Sequence, residues 1–152
     1  SKHISFTVGS TVILSRRLEG DCLNYKKAIP ESFRITVKTA RTDLLDVVER
    51  VSLIVDSKNN APLRLTFRKD AIDFVCTTPL GKAADSCPCE GDGGDLEIGF
   101  NDHYLSDALK AAPADELNVC LNTGSSPCIF VPADGSDNFV YMVLPVRLRA
   151  GQ

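Results

Sequence analysis

Apolar and polar residues alternate over Phe33-Arg-Ile-Thr-Val37, the period-two pattern of a strand with one buried face. Thr42 then precedes a run in which Leu44, Val47, Val48, Val51, Ile54 and Val55 recur at helical spacing, so the pattern predicts a helix over 43–55 with Thr42 as its cap. A polar turn, Asp56–Pro62, follows. Three strands are expected next, over Leu63–Phe67, Ala71–Thr77 and about Lys82–Cys89, split by Lys69-Asp70 and Pro79-Leu80-Gly81. Glu90-Gly-Asp-Gly-Gly94 reads as a clear break. Beyond it the order starts again. Leu96–Phe100 alternates, and Asn101 is placed to cap a helix over Asp102–Ala112 that carries Tyr104, Leu105, Ala108 and Leu109 on one face. Pro113 ends that helix, and strands are expected over Leu117–Leu121, Pro127–Val131 and Phe139–Leu144. Two β-α-β-β-β units therefore follow one another at an offset of about sixty residues. They predict an α+β domain with pseudo-twofold symmetry and its two helices packed together on one side of the sheets.

The two ends fall outside this count. Ile4–Val8 and Thr11–Arg17 read as a hairpin turning at Gly9-Ser10, followed by an irregular link through Pro30. A lone hairpin is marginal in water and needs a surface to lie on. The expectation is that residues 1–30 end a preceding domain and that 31–152 form the domain of the repeat. At the other end, Tyr141-Met-Val-Leu-Pro-Val-Arg-Leu148 runs an apolar strand into a proline. Proline has no amide for a sheet ladder, so Pro145–Leu148 is expected in an extended path along a surface groove, which points to binding rather than to chemistry.

Bulk composition changes this picture little, and charge changes it more. Hydrophobic residues make up 43% and charged residues 24% of the 152, ordinary for a globular protein. No run approaches the roughly 20 apolar residues of a membrane span and the start does not resemble a signal peptide, so a cytoplasmic location is expected. The net charge of −3 is unevenly spread. Residues 1–41 carry eight Lys/Arg against three acids, and residues 42–152 carry nine against seventeen. A basic segment on an acidic body can face phosphate while the body stays solvated.

The six cysteines (Cys22, Cys76, Cys87, Cys89, Cys120 and Cys128) show no C-x-x-C spacing. Cys87 and Cys89 could point the same way from a strand, but two ligands do not make a metal site. Cys76, Cys120 and Cys128 sit among strand residues, where a thiol acts as a small hydrophobe. With His3 and His103 the only histidines, a thiol or metal enzyme lacks a base and further ligands. Neither a metal nor a cofactor is expected, and the competing reading is a free-standing protein-interaction domain.

Several segments carry a resemblance. Asp95-Leu-Glu-Ile-Gly-Phe-Asn101 entering a helix with Tyr104, the terminal Tyr141–Leu148, and Glu19-Gly20 followed by Asn24-Tyr-Lys-Lys-Ala-Ile-Pro30 resemble the C-terminal part of the bacterial DNA sliding clamp, the β subunit of DNA polymerase III. The resemblance spans residues 4–148 and less than half of a full clamp: the end of its middle domain and the whole of its third.

It implies a non-catalytic processivity factor. Members of this family are head-to-tail homodimers that close a six-domain ring around duplex DNA, with helices lining the hole. On that resemblance Lys26, Lys27, Arg41, Arg50 and Lys110 would face DNA, a thin basic lining beside Asp43, Asp46, Glu49, Asp102 and Asp107. Short peptides of polymerase and clamp loader, with glutamine and bulky apolar residues, would enter a pocket between the second and third domains. By position this pocket would use Leu23, Lys27 and Ala28 at the junction, Asn101 and Tyr104 at the second helix, Ser125 from a turn, and Met142, Val143, Leu144, Pro145, Val146, Arg147 and Leu148 from the tail. The sequence departs from the family at Leu23 and Lys27, where proline and arginine are common, and at Asn60, often aromatic. Ile54 and Val55 would meet the first domain of the partner chain. Without that domain the chain is expected to be monomeric.

Overall fold

The computed structural model describes residues 2–20, 24–55, 61–136 and 138–148. Leu23, Cys22, Asn60 and most of the turn 56–62 lie outside them.

Two antiparallel strands, β1 (His3–Val8) and β2 (Thr11–Arg16), pair from His3↔Arg16 to Val8↔Thr11 about Gly9. All twelve residues are exposed, including Ile4, Phe6, Val8, Val12, Ile13 and Leu14. A short 3-10 turn, Tyr25–Lys27, leads on towards the main body.

The body contains β3 (Ile35–Ala40), α1 (Arg41–Ser52), β4 (Leu63–Thr78), β5 (Gly81–Phe100), α2 (Asp102–Ala111), β6 (Glu116–Leu121), β7 (Cys128–Pro132) and β8 (Tyr141–Val143). Its six strands join in the order β4-β5-β3-β6-β7-β8. β5 and β3 share a single pair, Lys38↔Glu90, whereas β3 and β6 pair over six residues, from Ile35↔Leu121 to Ala40↔Glu116. The Lys38 ammonium reinforces both joints, 3.1 Å from Glu90 and 3.4 Å from Glu116; hydrogen bonds to the two carboxylates push its pKa up.

Two strand candidates merge in β4, yet the strand still bends sharply at Lys69-Asp70, where its register against β5 shifts. Arg68 Nε lies 2.5 Å from Asp73 Oδ2. In a straight strand those residues would stand about 16 Å apart at roughly 3.3 Å each. Asp70 sits at φ 58°, and the buried positions change from Leu63, Leu65 and Phe67 to Ile72, Phe74 and Cys76, as such a bend allows. The expected break at Glu90–Gly94 is instead a bent passage within β5. It turns through left-handed Gly91, Gly94 and Asp95 while Asp92 still pairs with Lys69.

The pseudo-twofold repeat is present. Lys38 and Gly99 stand 61 residues apart, as do Arg41 and Asp102, the first residues of the helices. The single pair Lys38↔Glu90 has a counterpart in the isolated bridge Gly99↔Val146. β3–β6 likewise corresponds to the Leu63–Phe67 and Leu96–Phe100 ladder.

Several boundaries differ from the expected ones, β3 among them at Ile35–Ala40 against 33–37, and three show their cause. α1 starts at Arg41 with Ala40 as N-cap and no side-chain cap bond, so Thr42 does not cap it. β3 feeds directly into the helix, and the loop before β6 supplies the first-turn acceptors: Arg41 N donates to Asp115 O at 2.8 Å and Nε to Ala114 O at 3.1 Å. The helix stops at Ser52 because tighter bonds, Leu53 N to Arg50 O and Val55 N to Ser52 O, close its end. β8 shortens to three residues because β7 offers it only Cys128–Phe130.

The core gathers Leu44, Val47, Val48 and Val51 of α1 and Leu105 and Leu109 of α2 with the inward residues of all six strands. Among the described residues no helix is long and apolar enough to cross a membrane.

Candidate functional site: a groove between the second helix and the last strand

Asn101 Oδ1 accepts a hydrogen bond from Tyr104 N at 3.2 Å, an N-cap whose loss costs about 1 kcal/mol. With the helix start fixed, Leu105 and Leu109 turn into the core, and Tyr104, Asp107 and Ala108 face β8. Along β8 the side chains alternate: Val143 is buried, while Met142 is partly exposed and Leu144 beyond it is exposed. Tyr141 ties strand to helix, its hydroxyl donating to Ala111 O at 3.1 Å and its ring 5.3 Å from that of Phe139.

Between them runs an open groove of about 440 Å³, lined by Tyr104, Asp107, Ala108, Tyr141, Met142, Val143 and Leu144. Tyr104 is 68% and Leu144 61% exposed. Exposed apolar side chains gathered in a concavity mark binding surface, and an adaptable Met beside them suits varied apolar ligands.

Four residues expected in a peptide pocket are thus brought together: Tyr104, Met142, Val143 and Leu144. Asp107, Ala108 and Tyr141 join them, and sequence reasoning missed these. Spacing alone pointed to Asp107 and Ala108, three and four residues beyond Tyr104 on one helical face. The other expected residues sit elsewhere. Asn101 serves the helix cap. Ser125 belongs to the turn after β6, its Oγ 3.3 Å from Thr123 Oγ1. Lys27 and Ala28 lie exposed at the 3-10 turn. Pro145–Leu148 leaves the groove and lies along β5, with Val146 N donating to Gly99 O at 2.8 Å and Leu148 resting on Gly99. Arg147 is exposed.

The cations expected to face a polyanion are mostly engaged. Arg50 Nε lies 2.7 Å from Asp85 Oδ2, Lys110 Nζ lies 2.9 Å from Glu49 Oε1, and Arg41 is held by Ala114 O. Lys26 and Lys27 stand exposed. Ile54 and Val55 follow α1 and are partly buried against the core. The residues exposed beside them are Leu53 (87%) and, from the β4–β5 turn, Leu80 (76%), with Ile54 reaching the intervening Gly81.

The five described cysteines are free and buried. Desolvation pushes the Cys87 thiol up to about 12 and raises that of Cys128 well above the usual range. Neither is a ready nucleophile.

The repeat explains why the groove belongs to one half. The positions matching Tyr104, Asp107 and Ala108 in α1 are Asp43, Asp46 and Val47, and those matching Met142 and Leu144 in β5 are Ser86 and Pro88. The tie Tyr141–Ala111 is matched by the ion pair Asp85–Arg50. One half therefore presents carboxylates where the other presents an apolar groove.

The family described as DNA polymerase III beta subunit, C-terminal domain, matches residues 26–147. A beta sliding clamp of Synechocystis is 37% identical over 96% of this chain and 38% of its own length, and one of Staphylococcus aureus is 30% identical over 97% and 39%. The DNA polymerase III subunit beta of Pseudomonas aeruginosa superposes with a TM-score of 0.89 at 27% identity, over 97% of this chain and 40% of its own. A sliding clamp of Bartonella birtlesii, solved bound to griselimycin, superposes at 0.87 with 28% identity, over 97% and 39%. The chain spans about two fifths of the length of these relatives.

Proposed function

Because this chain belongs to the family of the DNA polymerase III β subunit, through its C-terminal domain, we propose that it forms the third domain, 31–152, and the end of the middle domain, 1–30, of a ring-shaped sliding clamp. The ring encircles duplex DNA and tethers the replicative polymerase without catalysing a reaction. The observation that carries the reading is the groove between α2 and β8. Its lining of Tyr104, Met142 and Leu144 suits the bulky apolar residues of a short partner peptide from polymerase or clamp loader. Lys27 and Ala28 would complete its wall from the junction side, together with the first part of the middle domain.

Contact with DNA is weak and nonspecific in this reading. Arg50 and Lys110 already have carboxylate partners, which leaves Lys26, Lys27 and the positive charge of Arg41 for phosphate. A ring that holds DNA by topology needs no more, and few phosphate contacts give a shallow salt dependence. Closure of the homodimer would cover Ile54 and Val55 together with Leu53 and Leu80, the apolar surface at the end of α1.

An assigned NMR titration with a glutamine-leucine-phenylalanine peptide tests the groove. Shifts confined to Tyr104–Ala108 and Tyr141–Leu144, with smaller ones at Lys27 and Ala28, are the expected result. A fully folded protein with no shift at any of these positions would overturn the assignment of the groove as a peptide site.

A further inference from the structure

Asp107 is the one acidic side chain lining an otherwise apolar groove. Among the described residues its carboxylate has no ion-pair or hydrogen-bond partner. The cation one turn on, Lys110, is held by Glu49 at 2.9 Å. The two tyrosine hydroxyls of the groove differ as well: that of Tyr141 is committed to Ala111 O, whereas Tyr104 stands largely exposed. A ligand laid between Tyr104 and Leu144 therefore meets apolar surface along its length and one uncompensated negative charge. Over residues 42–152 acids also outnumber Lys/Arg, seventeen to nine.

Resting on the peptide-site reading above, we infer that Asp107 sets the charge preference of the groove. Its favoured occupant is a peptide segment that places a lysine or arginine beside its apolar anchors, within reach of that carboxylate. The pair would be solvent-exposed and worth a modest factor, about two- to fivefold in Kd at low salt, fading as ionic strength rises. Such a term adds little affinity but discriminates among partners whose anchors are alike.

The test uses the full chain and acetylated glutamine-leucine-phenylalanine peptides extended by lysine, glutamine or glutamate, at each end in turn. Kd is measured by fluorescence anisotropy at low and high salt, with wild-type protein, Asp107→Asn and Tyr104→Ala. The expected result is that, at one end, lysine binds about two- to fivefold tighter than glutamine and glutamate binds more weakly still. Asp107→Asn should level the three peptides, because the side chain is exposed and its replacement leaves α2 intact. Tyr104→Ala should weaken all of them alike. Binding with no preference at either end, or a preference that survives in Asp107→Asn, overturns this inference and leaves the groove as a peptide site. No binding of any peptide overturns both.

Discussion

Asp85 shows how one side chain couples an element to its neighbour and to pH. Its carboxylate accepts from Arg50 Nε at 2.7 Å and from Ser86 N at 2.8 Å, and the Arg50 bond chiefly holds its pKa below the ordinary value. A depressed carboxyl pKa adds stability above the unfolded value of about 3.9, and that stability disappears as pH falls through the folded value. Asp85→Asn should therefore lower the melting temperature slightly near pH 7, by no more than an exposed ion pair allows. The gap to wild type should close steadily below about pH 4. Thermal scans across pH would contradict this if the gap were constant or widened in acid. The tie was illegible beforehand because Arg50 and Asp85 are 35 residues apart, and no local pattern relates them. Asn101 was legible for the opposite reason, since a cap speaks to an amide three residues on.

At the scale of elements, alternation and helical spacing foretold both helices and ten strands, which the structure joins into eight, and every large disagreement falls where a distant partner decides. Thr42 looked like a cap, but the loop at Ala114-Asp115 reaches α1 first. The glycines of 90–94 looked like a loop, but Lys69 holds Asp92 in register. The tail shows the same effect. Pro145 ends the ladder of β8 as expected, yet Val146–Leu148 finds a second partner in β5. That contact depends on Gly99, where an added Cβ would stand 2.6 Å from Leu148 Cδ2 and 3.0 Å from Val146 O. Gly99→Ala should cost about 1–3 kcal/mol through overpacking and release the tail. In hydrogen exchange the Val146 amide should then lose its protection while β6 keeps its own. Unchanged protection of Val146 would show that Leu148 simply turns aside and that the bridge does not need the glycine.

For the whole molecule, the contrast lies between the body and the hairpin. The body buries three phenylalanines (Phe67, Phe74 and Phe100) and a cluster of leucines and isoleucines to below 2% exposure. The hairpin pairs six residues with six and buries none of them. Cross-strand hydrogen bonds alone leave such a ribbon marginal, so its order and that of the body should be nearly independent. Removing residues 1–17 should thus leave the melting temperature of the body within about 1 °C, since changes without shared contacts are independent. In the intact chain the amides of β1 and β2 should exchange close to unfolded rates, far faster than those of β3 and β6. The exposed apolar row of Ile4, Phe6, Val8 and Ile13 on one face also predicts that the intact chain associates more at high concentration than the shortened one, because an exposed hairpin offers both edges for pairing. Light scattering on the two forms would separate the cases. A body that loses several degrees without the hairpin would mean the two share a packed surface. The residues 1–30 would then belong to the domain of the repeat rather than to the one before it.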